Sequence, residues 1–454
     1  MALHMRITKQ RGLTAAVIGK DGRTTAITRL LERSPKVSGP VQNLASGASL
    51  QPAAYIDEVL QNARRIRPDF VVIGPEGPLA LGIVDQLEAI GVPSVGPVRA
   101  LADLEASKAF TRNLLARQHI PGNPEHRVFT SPAGVGEYLR SLGDFVIKPD
   151  GLTGGKGVKV SGDHLSSVDE GVAYCDTLFR RGDRQVVIEE KLDGEEFSLQ
   201  SFCDGSHVVH TVAVQDHKRA YEGDRGPNTG GMGSYSDANY LLPFLDRASV
   251  EDAKAITERV VKALLNDTGQ KYKGILFGGF MLTKGGVRLL EYNARFGDPE
   301  SLNVLCLLDA DLADICVGIV NETLNEVPVT FRPLATVCKY VVPEGYPEHP
   351  VKGESIDLSA IAESDQLKIF HAAVDARPDG RLTMTGSRAV AFVGLGQNLA
   401  DAERHAERAA SAVRGRVFHR RDIGSAELIQ KRVTHMNQVR QSVATRAGPA
   451  SAPG

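Results

Sequence analysis

Two lysines and a cluster of glycines share one short stretch, Phe145-Val-Ile-Lys-Pro-Asp-Gly-Leu-Thr-Gly-Gly-Lys-Gly-Val158. An apolar strand delivers Lys148, and a loop carrying Gly154, Gly155, Lys156 and Gly157 follows at once. Glycines let backbone N–H groups approach an anion closely, and the lysines add point charges. That is chemistry suited to a phosphate. The stretch is not a P-loop, because G-x-x-x-x-G-K-[ST] is missing and no helix start follows. A β-hairpin whose glycines serve only the turn fits the same residues.

A second stretch, Leu289-Leu-Glu-Tyr-Asn-Ala-Arg-Phe-Gly-Asp-Pro-Glu300, places a carboxylate and an amide two residues apart. On a strand, Glu291, Asn293 and Arg295 share one face while Tyr292 points away. Glu291 and Asn293 then offer two hard oxygens to Mg²⁺, whose remaining ligands are usually water and nucleotide phosphate. The plainer reading is a solvated polar strand face, weakened by the apolar Leu289 and Leu290 beside it.

Two further segments belong with these. Val186 to Ser198 runs from an apolar strand into Glu189, Glu190, Glu195 and Glu196, groups that could receive an adenine amino group and ribose hydroxyls. A charged hairpin end is the plainer account. Gln215 to Tyr235 combines five glycines with Asp216, His217, Lys218, Arg219, Asp224 and Arg225. It reads as a long loop without regular structure, suited to closing over a reactive intermediate and excluding water. A disordered insertion has the same composition.

These segments need elements to hold them. Leu13–Ile18 and Phe70–Ile73 read as buried strands, and Thr24–Glu32 reads as a helix. Leu79, Ile83, Leu87 and Ile90 have helical spacing. Strands alternating with helices imply parallel βαβ units, hence a doubly wound α/β domain over residues 1–106. A helix from Ser107 to Gln118 opens the motif-rich region, with strands at 145–148, 186–190, 197–203 and 208–214. Strand-like runs at 335–342 and 389–393 and a helix from 401 to 413 follow. Residues 435–454 have the composition of a disordered tail.

Composition excludes several classes. With 454 residues the chain exceeds one ordinary core. Fifty-three basic against fifty-five acidic residues give a net charge of −2, which argues against a broad nucleic-acid binder. The longest apolar run, Val304 to Val320, is interrupted by Asp309, Asp311 and Asp314, so no membrane partner is expected. Met1 to Arg11 has no apolar signal-like core. Five scattered cysteines form neither a disulfide framework nor a CxxC pair. No H-E-x-x-H occurs, and His371, His405 and His419 read as fillers. The expectation is a cytoplasmic enzyme.

Taken together, these motifs resemble the ATP-grasp ligases and, among them, the glycinamide ribonucleotide synthetase family. The resemblance covers residues 13 to 430. It rests on Gly74-Pro-Glu-Gly-Pro-Leu-Ala-Leu-Gly82, Ser107-Lys-Ala-Phe110, the Lys148 loop, Glu189 to Glu196, Gln215-Asp-His-Lys-Arg219, Gly226-Pro-Asn-Thr-Gly-Gly-Met-Gly233, Glu291 to Glu300, Glu344-Gly-Tyr-Pro347 and Arg421-Asp-Ile-Gly424. It implies an ATP-grasp fold at 107–326 with a lid at about 124–191. A pre-ATP-grasp α/β domain would precede it, and a small C-terminal α/β domain at 327–434 would follow.

The resemblance also implies roles. Lys108 and Lys148 would meet ATP phosphates beneath the loop of Gly154, Gly155, Lys156 and Gly157. Glu189, the backbone of Glu190 and Leu192, and Glu196 would hold adenine and ribose. Glu291 and Asn293 would hold Mg²⁺, or Mn²⁺ in its place. Many ATP-grasp enzymes carry another carboxylate where this chain has Gly279, although a small residue is also expected in this family. Asp216, His217, Lys218 and Arg295 are the catalytic candidates. Gly19, Gly22, Arg23 and Glu76 are the candidates for the second substrate. An acid would be activated as its acyl phosphate and then captured by an amine. The partners are these small molecules, and a monomer is the implied state, with a dimer as the alternative.

Departures concentrate where the amine substrate should sit. The family usually opens with Gly-x-Gly-Gly-Arg-Glu-His-Ala, whereas this chain reads Gly19-Lys-Asp-Gly-Arg-Thr-Thr-Ala26. A typical Phe-His-Ala-Gly-Thr reads Phe370-His-Ala-Ala-Val374. Drift within purine biosynthesis is one account. A paralogue ligating a different amine or a hydrazine is another, and a non-catalytic ATP-binding protein is a third.

Overall fold

Strands that are apolar on both faces need cover on both sides, which a parallel sheet gets from its crossover helices. Ala15–Ile18 and Phe70–Ile73 are buried at every residue. They pair in parallel at the centre of a four-stranded sheet edged by Gln42–Asn43 and Ser94–Val95. The computed structural model describes residues 6–45, 51–152 and 157–441. The helix Gly22–Arg33 begins where Asp21 caps it, accepting the Thr24 N–H at 2.9 Å. Leu79, Ile83, Leu87 and Ile90 do not share one helix. Glu76–Ala80 and Ile83–Ala89 are separate, broken at Gly82, whose φ of +78° suits glycine.

Four antiparallel strands, His126–Phe129, Val186–Glu190, Phe145–Pro149 and Lys159–Val160, form a second small sheet. Helices Val135–Leu142 and Val168–Arg180 pack on it, and Leu139, Phe145, Ile147, Leu178 and Ile188 fill its own core. This sheet, in the segment expected to form a lid, has its own hydrophobic centre.

Among the described residues the largest sheet has nine strands. Across it run Gly286–Asn293, Lys273–Thr283, Gly194–Asp204, Val208–Asp216, Gly233–Ser236, Ala335–Pro343, Val390–Gly396 and Leu367–His371, with Val417–Phe418 beside Ala335–Pro343. Every pairing is antiparallel. Gly233–Ser236 is the seam that joins the strands before residue 294 to those after 334.

That seam corrects the reading of Gln215 to Tyr235 as an unstructured loop. Gln215 and Asp216 pair with Tyr235 and Ser234, and Arg219–Tyr221 forms a hairpin with Arg225–Asn228. The glycines serve turns and close approaches instead of mobility. Gly223 and Gly226 have positive φ, and a Cβ at Gly233 would meet the Cys338 carbonyl oxygen at 2.2 Å.

The far end also differs from expectation. Helix Ala426–Gln441 continues through residues assigned to the disordered tail. Met436 and Val439 are buried on its apolar side, which anchors it. No helix among the described residues is long and apolar enough to cross a membrane.

Candidate active site

The lid, the central sheet, the N-terminal sheet and the C-terminal strands meet around a cavity of about 250 Å³. Its wall includes Lys108, Lys148, Glu189, Asp216, Lys218, Glu291, Asn293, Arg295, Arg23 and Glu76, ten of the residues singled out from the sequence.

One end is cationic and firmly built. Ser107 caps the helix Lys108–Arg117 through the Phe110 N–H and donates its hydroxyl to Asp150 at 2.9 Å. Lys108 then reaches the Gly151 carbonyl oxygen at 2.9 Å, beside the glycine-rich stretch. Gly154, Gly155 and Lys156 lie outside the described residues. Gly157 sits at φ +92° on a separate groove, with Lys159, His164 and Arg219.

Lys148 lies 2.7 Å from Glu189 Oε2, and Arg112 donates to both carboxylate oxygens, at 2.6 Å to Oε1 and 3.1 Å to Oε2. Arg112 and Lys148 both donate to the Leu290 carbonyl oxygen. Burial alone would raise Glu189, but Arg112 and Lys148 pull it down to about 2. Burial in turn holds Lys148 below the usual lysine range. Glu189 therefore has both oxygens engaged, Oε1 by Arg112 and Oε2 by Arg112 and Lys148 together.

In the middle, Glu291 and Asn293 face the cavity while Tyr292 is buried behind them, as strand alternation requires. Enclosure would raise Glu291, yet Lys218, Lys148 and Lys108 together hold it below the ordinary carboxylate range. The Asn293 amide oxygen accepts only a long 3.3 Å bond from Arg295. Gly279 stands directly opposite Glu291 across the strand pair, and a Cβ there would sit 3.5 Å from the Glu291 Cγ. An ionised carboxylate and a free amide oxygen beside three lysines fit a divalent cation shared with phosphate.

The other end is built from arginines and carboxylates. Arg295 is held by Glu105 at 2.6 Å and Glu76 at 3.2 Å, and Glu105 also accepts the Ala294 N–H. Arg23 is buried between Asp21 at 2.7 Å, the Phe296 carbonyl oxygen at 2.8 Å and Glu76 at 3.6 Å. Arg388 comes from the C-terminal part, donates to the carbonyl oxygens of Asp298 and Gly230, and stacks on Tyr340. Each of the three arginines comes from a different part of the chain.

Some candidates lie elsewhere. His217 is packed behind the Asp216 strand against Tyr235, and it does not line the cavity. Burial, then Arg432 and Arg420, push its imidazole down to about 3, so it is neutral, with neither ring nitrogen partnered among the described residues. Glu190 uses its carboxylate on the Glu125 N–H, Glu196 pairs with Lys218 at 3.0 Å, and Leu192 is half-buried. Gly19 and Gly22 shape backbone contacts. A Cβ at Gly19 would meet the Thr24 hydroxyl at 2.4 Å, and one at Gly22 the Tyr340 hydroxyl at 2.2 Å.

The altered Thr24-Thr25 pair touches the segment that carries the second departure. Thr25 donates its hydroxyl to the His371 carbonyl oxygen at 2.8 Å, and Thr24 donates to Asp21 at 2.7 Å. Sequence reasoning missed Glu105, Arg112, Asp298, Glu300 and Arg388, all on the cavity wall. Arg112 had a local signal, one turn beyond Lys108 on the same helix, and Asp298 and Glu300 stood within the Leu289–Glu300 stretch; Glu105 and Arg388 had none.

Comparison with known proteins places this geometry. Family models described as phosphoribosylglycinamide synthetase match along the chain: the N domain over residues 13–105, the ATP-grasp (A) domain over 106–301 and the C domain over 336–426. The phosphoribosylamine–glycine ligase of Methanosarcina barkeri is 44% identical over 434 residues, covering 93% of this chain and 99% of its own length. The crystal structure of the phosphoribosylamine–glycine ligase of Thermotoga maritima is 28% identical with a TM-score of 0.72, covering 90% of this chain and all of that one. The biotin carboxylase domain of Hydrogenobacter thermophilus 2-oxoglutarate carboxylase, solved with MgADP, ADP and bicarbonate, shares the fold alone. It is 10% identical with a TM-score of 0.69, over 96% of this chain and 98% of that one.

Proposed function

The chain belongs to the phosphoribosylglycinamide synthetase family, and we propose that it joins glycine to 5-phosphoribosylamine, consuming ATP and forming glycinamide ribonucleotide. The observation that carries this reading is one cavity in which Lys108, Lys148 and Lys218 surround Glu291, while Arg23, Arg295 and Arg388 close the opposite end.

A carboxylate cannot lose oxide to an amine, so the acid must first gain a better leaving group. Glycine's carboxylate oxygen attacks the γ-phosphorus of ATP, the bond to the ADP oxygen breaks, and an acyl phosphate results. Lys108 and Lys148 are placed to carry the phosphate charge, with Glu189 and Arg112 fixing Lys148 so that little reorganisation is needed. Glu291 and Asn293 would hold Mg²⁺, which supplies charge neutralisation on the transferred phosphoryl group. The amine nitrogen then attacks the carbonyl carbon, the C–O bond to phosphate breaks, and an amide is left. Arg295, braced by Glu76 and Glu105, and Asp216 are suited to orienting the acid and the amine. Both steps depend on positioning, so no covalent nucleophile on the protein is needed. Small soluble substrates and the lack of a membrane-crossing helix among the described residues fit work in the cytoplasm.

Phosphate release from ATP, measured with glycine and with or without freshly generated 5-phosphoribosylamine, tests the reading when products are followed by mass. Release that depends on the amine, with the mass of glycinamide ribonucleotide, is expected. ATP turnover with other amines but not with this one would overturn the assignment.

A further inference from the structure

Most carboxylates on the cavity wall are already committed. Glu76 and Glu105 hold Arg295, Glu189 holds Arg112 and Lys148, and Asp298 holds Tyr340 and Arg388. Among the described residues Glu291, Asp216 and Glu300 have no ion pair and no side-chain hydrogen bond to another residue. Glu291 faces the three lysines and belongs with phosphate. Glu300 is different. It opens the helix Glu300–Leu307, is almost wholly buried, and yet lines the cavity. Its carboxyl group lies over Gly297, where an added Cβ would meet the Glu300 Oε2 at 2.6 Å.

The charged groups that face Glu300 set its character. Asp216 ends the strand Val208–Asp216 and Lys218 follows it, Arg295 comes from the segment after Asn293, and the uncharged Cys338 thiol from the strand Ala335–Pro343. Lys108 and Lys148 are not among them. Apart from its own backbone N–H, this buried carboxyl group on the cavity wall has no partner among the described residues. It is a group kept for a ligand.

Resting on the ligase reading above, we propose that Glu300 is the group that accepts the proton lost by the amine as it captures the acyl phosphate. The nitrogen lone pair forms the N–C bond, and the C–O bond to phosphate breaks with its electron pair leaving on phosphate. One N–H proton passes to an oxygen of the Glu300 carboxylate. Burial and the neighbouring Asp216 push Glu300 up to about 8, so the ionised form that accepts the proton grows as pH rises through that value, and its proton affinity is far closer to an amine's than an ordinary carboxyl group's is. Asp216 acts as a positioning residue, since its charge raises the proton affinity of Glu300.

The test separates the two half-reactions. Acyl phosphate formation is read by trapping with hydroxylamine, a weakly basic nucleophile that is unprotonated at neutral pH, as glycine hydroxamate. Amide formation is read as glycinamide ribonucleotide. Glu300→Gln is expected to lower amide formation about 100-fold or more while hydroxamate formation stays within a few-fold of the unaltered enzyme. Equal loss of both, or a raised Mg²⁺ requirement in the trapping reaction, would place Glu300 in phosphoryl transfer and overturn the proposal; so would unchanged amide formation. If circular dichroism shows Glu300→Gln unfolded, Glu300→Asp decides, because it keeps the charge but withdraws it by one methylene. Selective slowing of amide formation supports the proposal, and equal slowing of both reactions or of neither overturns it. The unaltered enzyme is the control: hydroxamate without glycinamide ribonucleotide would defeat the substrate reading, whereas a selective defect in the variants concerns Glu300 alone.

Discussion

Lys148 is held 2.7 Å from Glu189 on the adjacent antiparallel strand, so this cavity lysine is aimed by a carboxylate that has no contact of its own to spare. Removing that carboxylate strands two buried cations. Glu189→Ala is expected to lower stability by about 3–5 kcal/mol, the usual result of breaking a buried ion pair from one side. Urea unfolding measures this, and a loss below about 1 kcal/mol would mean that water replaces the carboxylate. The pH dependence has a defined sign. Glu189 is depressed to about 2 from an ordinary 4.5, so its contribution is present above that ordinary value and is lost as pH falls from there through the folded value.

Gly279 and Glu291 form a direct cross-strand pair on the cavity face. Gly279 has ordinary φ and 3.5 Å of clearance to Glu291, so Gly279→Ala should fold and turn over normally. Gly279→Asp adds a second carboxylate opposite the first and should lower the Mg²⁺ concentration for half-maximal turnover. Asn293→Ala should do the reverse and cripple ATP turnover while circular dichroism stays unchanged. Unaltered turnover of Asn293→Ala at saturating Mg²⁺ would defeat the metal assignment.

What the sequence made legible was whatever short spacing encodes. Glu291 and Asn293 alternate on one strand, and Ser107 caps the helix that carries Lys108, so both could be placed before the fold was known. Arg388 and Glu105 could not. Arg388 meets Gly230, whose carbonyl oxygen is 158 residues away, and Glu105 meets Ala294 across 189. Such partners are chosen by packing, and no local pattern carries them. The Gln215 to Tyr235 segment misled for the opposite reason. Its glycines satisfy tight turns and the close pairing of Gly233 with the Lys339 region, and composition alone cannot tell a crowded backbone from a free one.

Helix Ala426–Gln441 ties the Arg219–Asn228 hairpin to the strand Gly194–Asp204. Arg432 pairs with Asp224 of the hairpin and lies 3.6 Å from Glu195, which His435 also contacts at 2.7 Å. Glu195 is buried and neighbours Glu196, the partner of Lys218. Arg432→Ala should cost about 1–3 kcal/mol, because it leaves charged groups short of partners. It should also raise KM for ATP more than it lowers kcat. Thermal unfolding and steady-state kinetics check both, and an unchanged melting temperature would show that the helix merely rests on the surface.

His217 is the sharpest case in which position in the fold decides between two readings of one residue. It stands beside Asp216 in the sequence, but the strand turns its ring away from the cavity and against Tyr235, with a centroid separation of 5.8 Å. A catalytic imidazole needs a partner for at least one nitrogen and access to substrate. Here both nitrogens are unpartnered among the described residues, and burial keeps the ring neutral down to about 3. An apolar ring of similar size loses nothing that the imidazole was using. His217→Phe should therefore keep turnover within a few-fold of the unaltered enzyme, and a loss of about 100-fold or more would return His217 to the chemistry. The same burial fixes a pH signature. The unfolded chain takes up a proton near 6.5 that the folded one refuses until about 3, so His217 costs stability as pH falls across that window. His217→Phe should remove that part of the slope. Unfolding curves at pH 7 and pH 5 measure it: the variant should lose less stability between the two than the unaltered protein does.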